Sequence, residues 1–323
     1  MRQSKKLPFH ILEYNISKNS NINKKYYFVI QYINIKRGVL MKIGIVGLGL
    51  IGGTIAKALN TKHNISAYDI SNESLSYALK NQIIHKAYTN LHLFLQENEV
   101  IYLCLYPNSL INFIFENKVF IPKNSVIIEI SGIKQHIISS VEQLGELEFE
   151  MVYSHPVAGR EKSGVWFSDK DIFSKGNYVI TPTKNNNETT LKLAEKLAKE
   201  MGFNNISYVS PKEHDDIIAY TSQLTHVLSI SLVNALSTNL DTSRFIGDSY
   251  RDLTRISMIN DTLWSELFLY NRDALLEQIN HFRVQLDHIQ HALLMNDKEN
   301  LMNLMQSSTQ IRQSIEEGKT HDR

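Results

Sequence analysis

Two short segments of the sequence combine a reactive side chain with small residues. His155 opens the segment HPVAGREKSG, and Ser131 and Gly132 lie in the segment EISGIK. Histidine has an ordinary pKa of about 6.5, so its imidazole can take a proton from a hydroxyl near neutral pH. Ser131 can hydrogen-bond the same ligand, and Gly132 leaves room for it. The pattern indicates acid–base chemistry on a small molecule, although a lone loop histidine is more often structural than catalytic.

A third segment has the spacing of a dinucleotide-binding loop. It follows a predicted buried strand at 42–46 and precedes a helical sequence. In such a loop the first glycine permits a tight turn, the second lets the backbone approach a pyrophosphate, and the third lets helix and strand pack closely. The helix N-terminus then faces the phosphates. The residues are Gly47, Leu48, Gly49, Leu50, Ile51 and Gly52.

An acidic residue at the end of the second predicted strand strengthens this interpretation. Asp69 follows Gly47 by about 20 residues, as a ribose-binding carboxylate should. A carboxylate there accepts hydrogen bonds from the ribose hydroxyls and repels a 2′-phosphate, which favours NAD over NADP. Tyr106 follows the strand at 100–105, where loops commonly meet the cofactor, and we expect it to contact NAD.

The elements around these residues predict an α/β fold. Helical segments near 74–80 and 135–144 alternate with strands, which is typical of a doubly wound, Rossmann-like parallel sheet. Ligands of such sheets bind beyond the carboxyl ends of the strands, so Ser131 and His155 should lie near the glycine loop. Further strands are predicted at 100–105, 126–130, 151–153, 177–181 and 206–209.

From residue 210 the pattern becomes helical to the end. Ser210 and Pro211 are typical of a helix start, with serine as the cap and proline in the first turn. Apolar residues then recur every seven positions, which predicts one helix of more than about 30 residues with an apolar seam. Such a seam could cover its own domain, but its length favours a homodimer through an all-α domain. The residues are Phe268, Leu275, Phe282 and Ile289.

Composition narrows the class of protein. A length of 323 residues favours two domains, and 34 basic against 33 acidic side chains give a net charge of +1, so charge suggests neither a nucleic-acid nor a membrane partner. The one cysteine, Cys104, excludes disulfides within the chain and fits the cytoplasm. No apolar run approaches the roughly 20 residues of a membrane helix. No metal site is predicted.

The first 40 residues differ from the rest, being basic and rich in Asn, Ile and Tyr. A targeting peptide is one explanation, and a chain that truly starts at Met41 is the simpler one. We expect this extension to be weakly ordered. The predicted domains are therefore residues 1–40 as an extension, 41–209 as the NAD-binding domain and 210–323 as the helical substrate and dimerisation domain.

From Met41 almost to its end the chain resembles the prephenate dehydrogenases. GLGLIGG and EISGIK are similar to two of that family's motifs, and HPVAGREKSG is similar to its HPMAG-x-E-x-SG. SQLTH at 222–226 resembles S-H-L-P-H, and YRDLTRI at 250–256, followed by Trp264, resembles F-R-D-x-T-R-I with its downstream tryptophan. Four positions depart from the family pattern. They are Glu129 for Asp, Gln223 for His, Thr225 for Pro, and Asp248-Ser249 in a place that is often glycine-rich.

The resemblance implies NAD-dependent oxidative decarboxylation of prephenate by a homodimer. It implies that His155 accepts the hydroxyl proton, that Arg255 holds a carboxylate, and that His226 reaches the site. Ser131 would bind the ring hydroxyl or the nicotinamide. Arg255 could instead form a structural ion pair, and His226 and Trp264 could be core residues. Further substrate-binding candidates are Gly132, Glu161, Asp252 and Trp264.

Three other functions stay open. Arogenate, the amino analogue of prephenate, would give tyrosine directly, and the sequence does not separate the two substrates. A hydroxyacid dehydrogenase of similar build would need a lysine-centred helix motif, which does not occur after Ser210. A catalytically silent NAD-binding sensor would need none of His155, His226 and Arg255, so their presence together argues against it.

Overall fold

The computed structural model of the chain describes residues 40–160, 162–236 and 242–321. The expectations about the first 40 residues, apart from Leu40 itself, and about Glu161 fall outside the described residues. Among the described helices, none combines the length and the apolar character that a membrane crossing requires.

Eight strands form one sheet in the order β3-β2-β1-β4-β5-β6-β7-β8. The six strands from β3 to β6 are mutually parallel, which confirms the predicted doubly wound sheet. Strand β3 has only three residues and was not predicted. The strands are β1 (Lys42–Val46), β2 (Asn64–Tyr68), β3 (Lys86–Tyr88), β4 (Val100–Leu103), β5 (Val126–Glu129), β6 (Glu150–Val157), β7 (Asn177–Thr181) and β8 (Asn205–Tyr208).

The last two strands run opposite to the others. β7 pairs antiparallel with β6, and β8 is parallel to β7. An antiparallel neighbour starts at the edge where the preceding strand ends, so the whole β6–β7 connection stays at the carboxyl edge of the parallel strands. This connection holds two 3₁₀ helices, Val165–Phe167 and Lys170–Lys175. The antiparallel turn thus keeps the segment after His155 above the predicted nucleotide loop.

Helices cover both faces of the sheet. Successive strand residues point to opposite faces, so Ile43 and Ile45 join one apolar cluster while Ile101 and Leu103 join the other. α1, α2 and α6 pack on the first face, and α3, α4 and α5 pack on the second. The helices are α1 (Leu50–Leu59), α2 (Asn72–Lys80), α3 (Leu91–Glu97), α4 (Pro107–Asn117), α5 (Gln135–Glu142) and α6 (Glu188–Glu200).

After β8 the chain is helical, as predicted. The hydroxyl of Ser210 accepts a hydrogen bond from the Glu213 N–H at 3.2 Å, so the serine caps α7. A π-helical turn, Ala219–Gln223, separates α7 from α8, and a 3₁₀ helix, Arg255–Ser257, follows α9. The helices are α7 (Pro211–Ile218), α8 (Leu224–Asn234), α9 (Asp248–Thr254), α10 (Asp261–Tyr270), α11 (Arg272–Leu294) and α12 (Lys298–His321).

The prediction of one long helix bearing the apolar seam is wrong, because the chain is divided at Asn271 into α10 and α11. Asn271 has φ −115° and ψ 27°, and its amide donates to the Asp215 carbonyl and to Oε1 of Gln223, both at 2.9 Å. The apolar spacing continues across this break, so the sequence pattern gave no sign of it. As a consequence α10 packs on the sheet domain, where Leu267 is buried in the core, while α11 leads away.

Polar contacts also fasten α10 to the start of α4. The Asn108 N–H donates to Oε2 of Glu266 at 2.9 Å, and Tyr270 donates its hydroxyl to Oδ1 of Asn108. The Tyr270 ring also stacks on His136, with ring centres 3.8 Å apart. The helical domain is therefore held directly against the edge of the sheet where the predicted site lies.

Candidate active site

The glycine loop has the shape that a dinucleotide needs. Gly47 has φ +91°, and a Cβ there would lie 2.5 Å from the Cys104 carbonyl oxygen. A Cβ on Gly52 would lie 2.0 Å from the Gly47 carbonyl oxygen, so α1 and β1 require glycine at their closest approach. A Cβ on Gly49 would meet nothing within 4 Å. The loop is thus tight at its two outer glycines and open at the middle one, where the pyrophosphate of NAD fits.

Asp69 lies beside this loop. Its Oδ2 accepts the Leu48 N–H at 2.5 Å, and its Oδ1 accepts the Ser71 N–H at 2.7 Å. The carboxylate is therefore fixed between the glycine loop and the start of α2, where a bound ribose would meet it. Leu50 and Ile51 form the first turn of α1, as a phosphate-facing helix start requires.

Tyr106 lies at the neighbouring strand end, as the N-cap residue of α4. Its hydroxyl accepts a hydrogen bond from the Asn260 amide at 2.7 Å. The side chain therefore links the cofactor edge to the segment before α10.

A buried ion pair shapes the turn after β5. Lys134 and Glu129 contact each other with no exposed side-chain surface, Lys134 Nζ donates to the Ser131 carbonyl at 2.7 Å, and Glu129 Oε2 accepts the Ser131 N–H at 2.8 Å. Burial raises the pKa of Glu129 and lowers that of Lys134, and their mutual contact opposes both shifts. The pair therefore holds Ser131 from both sides.

Ser131 and Gly132 are brought to His155 by the sheet register. Tyr153 of β6 pairs with Glu129 of β5, so His155, two residues farther on, comes level with Ser131. The Ser131 hydroxyl oxygen is buried and has no hydrogen-bond partner among the described residues. A Cβ on Gly132 would lie 3.8 Å from Cε1 of His155. The Ser131 hydroxyl and the His155 imidazole therefore lie beside a space that is left open because Gly132 has no side chain.

His155 is part of a strand and not of a loop. β6 extends to Val157, and His155 pairs with Val179 of β7. The sequence predicted this strand only over 151–153, because the antiparallel partner that extends it cannot be recognised from the sequence. The backbone of His155 is therefore held in the sheet by its antiparallel pairing with β7.

A second histidine and an aspartate, which sequence reasoning missed, stand behind His155. His155 Nδ1 lies 2.9 Å from Nε2 of His214, and Nδ1 of His214 lies 2.7 Å from Oδ1 of Asp215. His214 and Asp215 are each 1% exposed. Their only sequence signal was an adjacent His-Asp pair in the first turns of the predicted helix after Ser210. Nothing in the sequence places that helix against β6.

Both imidazoles have lowered pKa values. Burial lowers the pKa of His155 well below 6.5, and the nearby His214 and Lys134 act in the same direction. Burial also lowers the pKa of His214, although its contact with Asp215 opposes the shift. His155 is therefore neutral at pH 7 and can accept a proton, and this capacity is lost as the pH falls through its lowered pKa.

The remaining candidates cluster on the helical domain. The rings of His226 and Trp264 lie 3.6 Å apart, and Trp264 is one helical turn from Leu267, which lies over Gly132. The His226–Trp264 pair therefore lies one helical turn from the residue that contacts the Gly132 position.

Arg255 and Asp252 are exposed. Arg255 belongs to the 3₁₀ helix that packs against α8, the helix of His226. The structure thus brings Arg255 to the neighbourhood of the helix that carries His226. Within the described residues no cluster of His, Cys, Asp or Glu could hold a metal ion.

A glycine loop with its acidic partner and a histidine at the carboxyl edge of a parallel sheet define a dinucleotide-dependent dehydrogenase. Residues 55–206 match the family model of the prephenate dehydrogenase nucleotide-binding domain, and residues 210–307 match that of the prephenate dehydrogenase dimerization domain. Together these matches cover well over half of the chain. The chain belongs to the prephenate dehydrogenase family, and it is an NAD-dependent dehydrogenase.

Individual relatives agree. A prephenate dehydrogenase of Bacillus subtilis (strain 168) is 26% identical over 279 residues, which are 84% of this chain and 75% of the relative. A cyclohexadienyl dehydrogenase of Zymomonas mobilis is 24% identical over 86% of this chain and 97% of its own. The solved Aquifex aeolicus prephenate dehydrogenase, in complex with hydroxyphenyl propionate and NAD+, has a TM-score of 0.78 and 25% identity, covering 85% of this chain and 98% of that one.

The open space at Gly49 gives a first prediction. In Gly49→Ala the added methyl group enters the pyrophosphate space, so we expect NADH affinity to fall by roughly tenfold or more while the melting temperature is unchanged. Fluorescence titration with NADH and thermal unfolding measure the two effects. In the comparison variant Gly52→Ala, the methyl group meets backbone, so stability should fall as well. Unchanged NADH affinity in Gly49→Ala would show that the pyrophosphate does not pass this residue.

Proposed function

We propose that the chain oxidatively decarboxylates prephenate to 4-hydroxyphenylpyruvate, with release of carbon dioxide and formation of NADH. The observation that carries this proposal is the convergence of a neutral His155 and an unpartnered Ser131 hydroxyl beside the nucleotide loop. The names of the relatives support it, and so does the hydroxyphenyl compound that the Aquifex enzyme holds together with NAD+. A cytoplasmic location is part of the proposal, because the reaction draws on a pool of NAD.

The proposed reaction balances in protons and electrons. Nε2 of His155 accepts the ring hydroxyl proton while the carbon that bears the hydroxyl loses its hydrogen with both bonding electrons. Bound NAD supplies the acceptor for that hydride. The bond from the ring to its carboxylate then breaks, its electrons complete the aromatic ring, and carbon dioxide leaves. His155 returns the proton to the phenolate oxygen, and Ser131 donates a hydrogen bond to the same oxygen.

The helical domain provides the substrate contacts in this proposal. Arg255 holds a carboxylate, for which a planar guanidinium is better suited than a point charge. His226 and Trp264 form the wall beside the ring, and Gly132 lets the ring lie against the strand end. Asp252 is a further candidate for substrate binding, and so is Glu161, which lies outside the described residues.

Arogenate remains the second candidate, because a relative of similar coverage is named a cyclohexadienyl dehydrogenase. The two substrates differ at the side chain, far from His155 and Ser131. The proposed proton transfer is therefore the same for both, and only the groups that contact the side chain could discriminate between them.

The direct test is NADH formation by the purified chain with prephenate and with arogenate, each with NAD and with NADP. We expect prephenate with NAD to be preferred, because the fixed Asp69 carboxylate repels a 2′-phosphate. NADH absorbance measures the rate. Turnover of arogenate but not of prephenate would show that arogenate is the substrate. NAD binding without turnover of either compound would contradict the proposal.

Loss of the proposed base should affect chemistry more than binding. In His155→Asn we expect kcat to fall about 10²- to 10⁴-fold, because no group remains to take the hydroxyl proton, while NAD affinity is kept. Steady-state kinetics and NADH titration separate the two. His63→Asn is the matched control, since His63 is also buried and contacts the carboxylate of Glu200. It should keep its kcat, and full activity in His155→Asn would remove His155 from the mechanism.

We also propose that residues 210–323 form the domain through which two copies associate. The family model that matches 210–307 carries the word dimerization, and α11 bears a row of apolar side chains exposed to solvent in the single chain. These residues are three and four positions apart, so they share one face of α11, and a contiguous apolar patch of this kind marks an interaction surface. The row consists of Leu286, Ile289 and Leu293, which are 52%, 43% and 63% exposed.

A charge in this row should separate the copies. We expect Leu286→Glu to elute as a monomer in size exclusion with light scattering at a concentration at which the unmodified chain is a dimer, because a buried unpaired carboxylate is strongly unfavourable. The control is Leu93→Glu on α3, where a leucine of similar exposure, 56%, lies on the nucleotide-binding domain. A dimer that survives Leu286→Glu, or one that is lost in Leu93→Glu, would place the interface elsewhere.

A further inference from the structure

The hydrogen-bond chain behind His155 has a defined direction. It begins at Asp215, whose Oδ1 accepts the Lys134 N–H and whose Oδ2 accepts the Gln135 N–H, both at 2.8 Å. These backbone N–H groups can only donate, so both carboxylate oxygens of Asp215 act as hydrogen-bond acceptors. An acceptor oxygen offers no proton to His214, so the 2.7 Å contact requires a proton on Nδ1 of His214.

This proton decides the state of both rings. With Nδ1 protonated, a neutral His214 has a bare Nε2, which can only accept a hydrogen bond. The 2.9 Å contact then requires His155 to carry its proton on Nδ1. Nε2 of His155 is left with its lone pair, and the described residues form no hydrogen bond to it. The proposed base atom, Nε2 of His155, is thus determined by the carboxylate of Asp215, two hydrogen bonds away.

On this geometry, and resting on the function proposed above, we propose that His214 is a positioning residue that fixes the tautomer of His155 and shares the proton taken from the substrate. When the substrate O–H bond breaks, an N–H bond forms at Nε2 of His155. The Nδ1–H bond of His155 then breaks, and an N–H bond forms at Nε2 of His214. The steps reverse when the phenolate oxygen takes its proton back, so the protein gains and loses nothing.

The charges around the two rings support this transfer. Glu129 and Lys134 face the rings from the turn after β5 and neutralise each other, and Asp215 faces them from α7. Before proton transfer, His155, His214 and Asp215 together carry the negative charge of Asp215. After the transfer, the positive charge of the added proton balances it. A positive charge held on His155 alone would be separated from Asp215 by the ring of His214. Moving it to His214 places it in direct contact with the carboxylate.

The tautomer can be observed without any substrate. Long-range ¹⁵N NMR of histidine-labelled protein distinguishes the protonated ring nitrogen, and we expect His155 to carry its proton on Nδ1 at neutral pH. In His214→Leu this preference should be lost. His63→Leu, which removes another buried, carboxylate-bound histidine, should leave the His155 signals unchanged. A proton on Nε2 of His155 in the unmodified chain, or an unaltered tautomer in His214→Leu, would overturn the proposal.

Kinetics then separate orientation from proton sharing. In His214→Gln the amide oxygen can still accept from Nδ1 of His155, but it cannot take the proton. We expect kcat to fall by roughly tenfold to a hundredfold with KM for the substrate and NAD affinity unchanged, and a larger fall in His214→Leu. A kcat in His214→Gln equal to that of the unmodified chain would show that His214 does not share the proton.

These two measurements keep the proposals distinct. If the chain turned over neither prephenate nor arogenate, the proposed function would fail, while the NMR result would still report whether His214 sets the tautomer of His155.

Discussion

The carboxylate of Asp215 is the point at which the two halves of the molecule meet. This carboxylate accepts the backbone N–H groups at the start of α5 on the sheet domain, and it contacts His214 on α7. The backbone carbonyl of Asp215 accepts the amide of Asn271 at the break between α10 and α11. A carboxylate that is only 1% exposed is tolerated because each of its oxygens has a hydrogen-bond donor. Removing these donors would leave both the domain junction and the proposed base without support.

The direction of β7 is the second constraint on the site. In a sheet that stayed parallel, the chain after His155 would cross to the opposite edge through a helix. Here it turns back at the same edge, where Val165 and Ser168 would each lie 2.9 Å from a Cβ on Gly53 in α1. Lys57 also donates to the Ser168 carbonyl at 2.5 Å. The segment that follows the proposed base is thereby locked onto the helix that faces the cofactor, which couples the two parts of the site.

The departures from the family pattern have local explanations in two cases. Gln223 stands where the family has histidine, and it is 1% exposed, donates to the Leu267 carbonyl at 3.0 Å and accepts from Asn271. It links α10 and α11 to the π-helical turn, so its role is to hold helices together, and it needs no titratable group. Glu129 in place of aspartate reaches Lys134 across the turn that carries Ser131. Nothing in the structure explains Thr225.

The sequence alone determined the parts of the protein that depend on near neighbours in the chain. The glycine spacing, Asp69 at a strand end, the alternation of strands and helices and the Ser210 cap are all local, because turns, caps and periodicity are set within a few residues. The motifs also identified His155 and Ser131, whose closeness follows from the rule that strand ends meet at one edge.

Only the tertiary structure decided the rest. The antiparallel β7, the break at Asn271 and the pairing of His155 with His214 all depend on hydrogen bonds between segments far apart in the chain. Apolar spacing could not reveal the break, since Asn271 interrupts the helix through partners in α7 and the π-helical turn, and the seam on either side is unchanged. Likewise His214 was an ordinary helix residue in the sequence until packing placed it 2.9 Å from His155. Periodicity reports which face of an element is buried, whereas partner identity is set only when the elements pack together.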